Sequence, residues 1–161
     1  MKGIPFSMGP LLAAALLAFG GPAAQAQQVY VDAVDYPSPG AGWEAFYDLE
    51  RRLAEDFDQI CGDTFCEGEY SDYQPLRYRC SVRQRDGVLG QCVWTFGASE
   101  ASVDPATGQV LVDAKLWQCP TPLQPQTRLA ALYKALAVER PLFAPLPHSQ
   151  RSVNDGLIEC L

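Results

Sequence analysis

The spacing of hydrophobic positions changes along the chain, and each change predicts a different element. Residues Gln28-Val-Tyr-Val-Asp-Ala-Val-Asp35 alternate loosely, as either an edge strand or a frayed terminus does. Ser38-Pro39 then offers an N-cap with proline in the first helical turn. From Trp43 the apolar residues Phe46, Leu49, Leu53, Phe57 and Ile60 recur at steps of three and four, which is one face of a helix. Gly62, directly after Cys61, predicts its C-cap. The segment 61–73 has turn residues and no period, so it reads as a loop.

From Pro75 the period becomes two. Leu76, Tyr78, Cys80 and Val82 alternate with Arg77, Arg79, Ser81 and Arg83, one apolar face and one charged, as in a half-buried antiparallel strand. Asp86-Gly87 marks the hairpin turn. A two-residue loop would put Trp94 and Phe96 on the arginine face. A three-residue loop, Arg85-Asp86-Gly87, opposes Leu76 to Phe96, Tyr78 to Trp94 and Cys80 to Cys92. A slip of one residue exchanges the faces, so burial selects the second register. A third strand reaches Val103, and Asp104-Pro-Ala-Thr-Gly108 turns into a fourth alternating run at Val110, Val112, Ala114 and Leu116.

Cys119 to Pro125 is a stiff connector. Thr127 is placed to cap a helix through Leu129, Leu132, Tyr133 and Leu136 that ends by Pro141. Past the proline-rich stretch 141–147, Ser152 and Asp155 have capping-box spacing for a last short helix. The expected fold class is α+β: a long N-terminal helix on an antiparallel meander of three to four strands, then one or two C-terminal helices. If the first segment is a strand, the order approaches the β-α-β-β-β layout of cystatin-like folds. The likeness is one of element order alone, since the Gln-x-Val-x-Gly inhibitor hairpin is absent.

The N-terminus changes the picture of where this domain works. Lys2, the apolar run Leu11–Phe19 and Ala24-Gln25-Ala26 have the three parts of a secretory signal peptide, with cleavage expected after Ala26. The expected product is one soluble, disulfide-stabilised domain, residues 27–161, periplasmic or extracellular. The apolar run is far shorter than the roughly 20 residues a membrane span needs. All six cysteines, Cys61, Cys66, Cys80, Cys92, Cys119 and Cys160, lie beyond that site. An even count in an exported chain reads as three disulfides, with Cys80–Cys92 the favoured pair and the other pairings open. No CxxC pair or histidine cluster suggests zinc, and no cofactor is expected.

The formal charge of −7 disfavours nucleic acid as a partner. It is unevenly spread: 32–72 carries twelve acidic residues against Arg51 and Arg52. Nucleophilic catalysis finds no support, because the single histidine, His148, sits among prolines and there is no Gly-x-Ser-x-Gly. Asp63, Glu67, Glu69 and Asp72 offer oxygen ligands for calcium without EF-hand spacing. Those carboxylates, or Glu44 and Glu50 on the first helix, are the candidate acid/base pair of a small hydrolase acting on cell-wall or other glycans. The most organised feature is the arginine row. Arg77, Arg79 and Arg83 share one strand face and Arg85 lies at the turn. Either acidic groups of the chain offset them, or an anionic glycan, lipid phosphate or acidic protein does.

The block Cys61-Gly-Asp-Thr-Phe-Cys-Glu-Gly-Glu-Tyr-Ser-Asp72, followed by Cys80-Ser-Val82 and Cys92-Val-Trp-Thr-Phe96, resembles uncharacterised exported proteins of Gram-negative bacteria. The resemblance spans 49–161 and implies a compartment but no activity. The leading expectation is therefore an exported, non-enzymatic binding module of inhibitor or immunity type, using Arg77, Arg79, Arg83 and Arg85. The glycan hydrolase and a structural envelope component are the alternatives.

Overall fold

The computed structural model describes residues 29–161, so the expected signal segment lies outside the described residues. The architecture is α+β. Its elements are β1 (Tyr30–Asp32), α1 (Trp43–Cys61), β2 (Gln74–Arg83), β3 (Leu89–Val103), β4 (Val110–Pro120), α2 (Leu129–Ala135) and α3 (Val153–Ile158). The four strands form one antiparallel sheet in the order β1-β2-β3-β4.

Helix α1 begins at Trp43 with Gly42 as N-cap, and not at Ser38-Pro39 as expected. A 3-10 turn at Ala33–Asp35 comes first, and the chain passes so close to itself that a side chain at Gly42 would run into the Ala33 carbonyl. Phe46, Leu49, Leu53 and Phe57 are buried, and Phe46 stacks on Tyr78 with ring centroids 5.8 Å apart. Phe57 meets Trp94 and Phe96 at 6.0 and 4.8 Å. The C-terminal segments close the same side. Arg52 donates to the carbonyls of Leu136 and Val138, and the buried Asp56 accepts the Leu142 N–H at 2.9 Å. Thr127 is buried and bonds to the Gln124 carbonyl; Arg128 is the N-cap of α2, not Thr127 as expected. Ser152 and Asp155 form a reciprocal capping box at α3.

The β2–β3 register opposes Tyr78 to Trp94 and Cys80 to Cys92, but the turn differs from the expected one. Its loop is four residues, Gln84–Gly87, closed by Gly87 N–H to the Arg83 carbonyl at 2.9 Å, with Gly87 at φ +72°. A bulge at Gly90 absorbs the extra residue and restores the register by Ser81–Gln91. A second irregularity leaves Leu76 out of the ladder, so Pro75, not Leu76, opposes Phe96. This switch of parity lets Tyr73 reach the core and strands Leu76 on the outer face, 51% exposed. The fourth run is also inverted relative to the usual reading of alternation. Val110, Val112 and Leu116 point outward and are exposed, whereas Trp117 and Cys119 turn inward.

Three disulfides join Cys61 to Cys66, Cys80 to Cys92 and Cys119 to Cys160. The first closes the loop after α1. The second crosses the hairpin. The third ties the segment after α3 to the end of β4.

Candidate functional site

The arginines do not form one free face. Over its first half β2 has β3 on one side and, among the described residues, no strand on the other, because β1 pairs only with Ser81–Arg83. That open edge is covered by α1: Glu50 accepts the Tyr78 N–H at 2.7 Å and faces Arg77 and Arg79 at 3.6 Å each. Arg79 also reaches Asp32 at 3.3 Å and the Tyr47 hydroxyl at 3.0 Å. Arg83 is buried at the turn, bonded to Asp86 at 2.8 Å, and Arg85 pairs with the same carboxylate at 3.4 Å. The shared face expected for Arg77, Arg79 and Arg83 is thus divided by local ion pairing. Like charges on one strand face repel, and the chain answers with Glu50, Asp32 and Asp86.

Asp86 allows a direct check. The hydrogen bond from Arg83 first, and the Val88 N–H after it, hold its carboxyl down to about 2 from the ordinary 3.8. A depressed folded value means that its stabilising contribution is present above the unfolded value and is lost as pH falls through the folded one. Asp86→Asn is therefore expected to lower the urea midpoint at pH 5, with the gap to wild type closing between about pH 4 and pH 2. A gap of constant size across that window would show that the Arg83 pairing contributes nothing.

The other candidates are scattered. Glu44 and Glu50, six positions apart, lie roughly 120° apart around the helix axis. Glu44 is exposed and Glu50 is occupied at the sheet edge. In the acidic loop, Asp72 accepts the Ser99 N–H and hydroxyl at 2.8 and 2.9 Å, while Asp63, Glu67 and Glu69 are exposed. Among the described residues no group of three or more His, Cys, Asp or Glu is placed to hold a metal ion. His148 is exposed in a turn.

A site that alternation alone did not reveal lies where this loop folds back. The Cys61–Cys66 bond and the Thr64 hydroxyl, bonded to the Ile60 carbonyl at 2.6 Å, turn the chain sharply after α1. The loop then lies along the inner side of the β3–β4 hairpin. Tyr70 donates to Asp113 at 2.7 Å, a bond that raises the phenol to about 12, and both Tyr70 and Tyr73 pack on Trp117. Between this loop, the end of α1, β4 and α3 opens a cleft of about 520 Å³. Its walls are mainly apolar, with Phe65, Tyr73, Trp117, Phe143, Ile158 and Leu161 prominent.

Few polar groups reach the cleft. Glu69 and Lys115 line it with opposite charges, and the Lys115 ammonium sits 4.9 Å from the Trp117 ring centroid. Asn154 on α3 contributes a buried Oδ1 that has no hydrogen-bond partner among the described residues. The side chain borders the cleft, but that oxygen is covered by protein and is not open to a ligand there. The residues come from segments as far apart as Ile60 and Leu161. The one local signal was the aromatic content of the loop: Phe65, Tyr70 and Tyr73 in a segment of turn residues. No protein-family model, no curated protein and no solved structure matches this chain.

Proposed function

We propose that the chain is an exported, non-enzymatic binding module that holds a small, largely apolar ligand in the cleft between the acidic loop, β4 and α3. The observation that carries this reading is the cleft itself: an aromatic-walled space of about 520 Å³ that Glu69 and Lys115 also line. Ligand sites are typically clefts of roughly 300–1,000 Å³ with apolar walls and a few polar groups that set orientation. The ligand chemistry that fits is an apolar body bearing one hydrogen-bond donor toward Glu69. Export is supported by the three disulfides, which persist in oxidising compartments. Among the described residues no helix is long and apolar enough to cross a membrane.

Titration with a neutral naphthylamine fluorophore tests the reading. Bright, blue-shifted emission is expected with the wild type. It should be lost with Ile158→Glu, whose side chain is 63% exposed and so replaceable without unfolding the core. Arg77→Glu should bind the dye like the wild type. No binding by the wild type, or equal binding by Ile158→Glu, would remove the cleft as the site.

A second reading keeps an anionic partner at the arginines, and one observation favours it. Trp43 is 60% exposed and lies 5.2 Å from Tyr47, whose ring also faces Arg77 and Arg79 at 5.8 and 5.2 Å. An exposed tryptophan on a half-buried tyrosine beside two guanidinium groups suits a sulfated or uronic glycan. Retention of wild-type protein on heparin, lost in Arg77→Glu and kept in Ile158→Glu, would move the site to that strip.

A further inference from the structure

The two edges of the sheet are treated differently. The β1–β2 edge has the usual protections: a three-residue strand, Pro75, two arginines, and a carboxylate that takes the Tyr78 N–H. The β4 edge is long, and Val110, Leu111, Val112 and Leu116 on it are between 52% and 69% exposed. No strand covers it among the described residues. We propose that a second copy of the chain does, through antiparallel pairing of β4 with β4 about a two-fold axis at Ala114.

The backbone sets out which groups are available. Asp104 N–H bonds to the Gln109 carbonyl at 2.9 Å, and Thr121 N–H to the Cys92 carbonyl at 2.9 Å. Hydrogen-bonding direction alternates along an antiparallel strand, so the odd-numbered residues of β4 face β3. Val110, Val112, Ala114, Leu116 and Gln118 therefore present their N–H and C=O groups outward. The next outward position is Pro120, which has no N–H and ends the series. The centre of the usable set is Ala114.

The side chains select the same centre. The two charges of β4, Asp113 and Lys115, flank Ala114 and lie on one face. A dyad at Ala114 sets each Asp113 opposite the second copy's Lys115, Val112 opposite Leu116 and Leu111 opposite Trp117. Moving the dyad one residue either way opposes Asp113 to Asp113 or Lys115 to Lys115, and like charges directly opposite are destabilising. Lone lysines commonly protect an edge against pairing. Here an aspartate two residues away makes the edge self-complementary, which a two-fold interface requires. Asp113 is held by Tyr70 and Lys115 by the Trp117 ring, so little ordering is left for association to supply.

Sedimentation of the oxidised mature protein tests the proposal. The wild type is expected to dimerise. Ala114→Pro removes an outward N–H without touching the β3–β4 ladder, and should be monomeric with unchanged circular dichroism and all thiols oxidised. Lys115→Asp sets two carboxylates against each other on both sides of the dyad and should weaken the dimer roughly ten-fold or more. The exchange Asp113→Lys with Lys115→Asp restores both pairs and should recover dimerisation. A wild type that stays monomeric at near-millimolar concentration would overturn the proposal. So would a dimer that survives Ala114→Pro, or one that the charge exchange fails to recover.

Discussion

Trp94→Ala is expected to lower the free energy of unfolding by about 3–5 kcal/mol, the range for truncating a fully buried large aromatic. Trp94 is 1% exposed and opposes Tyr78 in the hairpin. Its ring lies 4.8 Å from Phe96, 5.8 Å from Tyr78 and 6.0 Å from Phe57, so it connects α1 to two strands. The rings around it cannot collapse into the space without leaving their own contacts. Domains have about 5–15 kcal/mol in total, so the variant should sit near the threshold of folding. Urea unfolding followed by far-UV circular dichroism measures the loss. A loss below about 1.5 kcal/mol would mean that the cluster repacks freely and is not the keystone of the sheet.

The second large effect concerns the tail. Removing the Cys119–Cys160 bond with paired alanines should cost about 4 kcal/mol in chain-entropy terms, against about 2 for Cys61–Cys66, because it closes the longer loop. The sequence separations are 41 and 5. The consequence for function follows from α3, which has only six residues and could not persist in isolation. It is docked by Val153 and Leu157 and supplies Asn154 and Ile158 to the cleft. Once untied, it should open locally before the sheet melts, and dye binding should fall at urea concentrations where the circular dichroism is still native. If binding and circular dichroism are lost together, packing alone holds α3 and the bond contributes only global stability.

How far the residues alone reach is clearest along β2 and β3. Aromatic residues at alternate positions and two cysteines that must not be separated allow one register, and Tyr78–Trp94 with Cys80–Cys92 is that register. The capping box at Ser152 is equally local: its donors and acceptors lie within four residues. Chemistry that depends on neighbours in the chain can be read from the chain.

The turn and the bulges could not be read that way. A three-residue loop and a four-residue loop with a compensating bulge at Gly90 deliver the same central pairs, so the pattern of burial does not separate them. The arginines show a deeper limit. Their shared parity is real, but two of the carboxylates that divide them, Glu50 on α1 and Asp32 on β1, come within reach only when the helix crosses the open edge of β2 and β1 pairs with its end.

By itself, then, the amino-acid order determined the period of each element, the central register of the hairpin, and the number of cysteines available for cross-links. Tertiary structure decided which face of each period was covered. Alternation along β4 shows that two faces differ but carries no information about which one meets the core. That choice was made by Tyr70 and Tyr73 packing on Trp117 and by Cys160 reaching Cys119, contacts between residues more than 40 positions apart. The cleft is a consequence of that choice, and so is the exposure of Val110, Val112 and Leu116, because covering the Trp117 face leaves theirs in solvent.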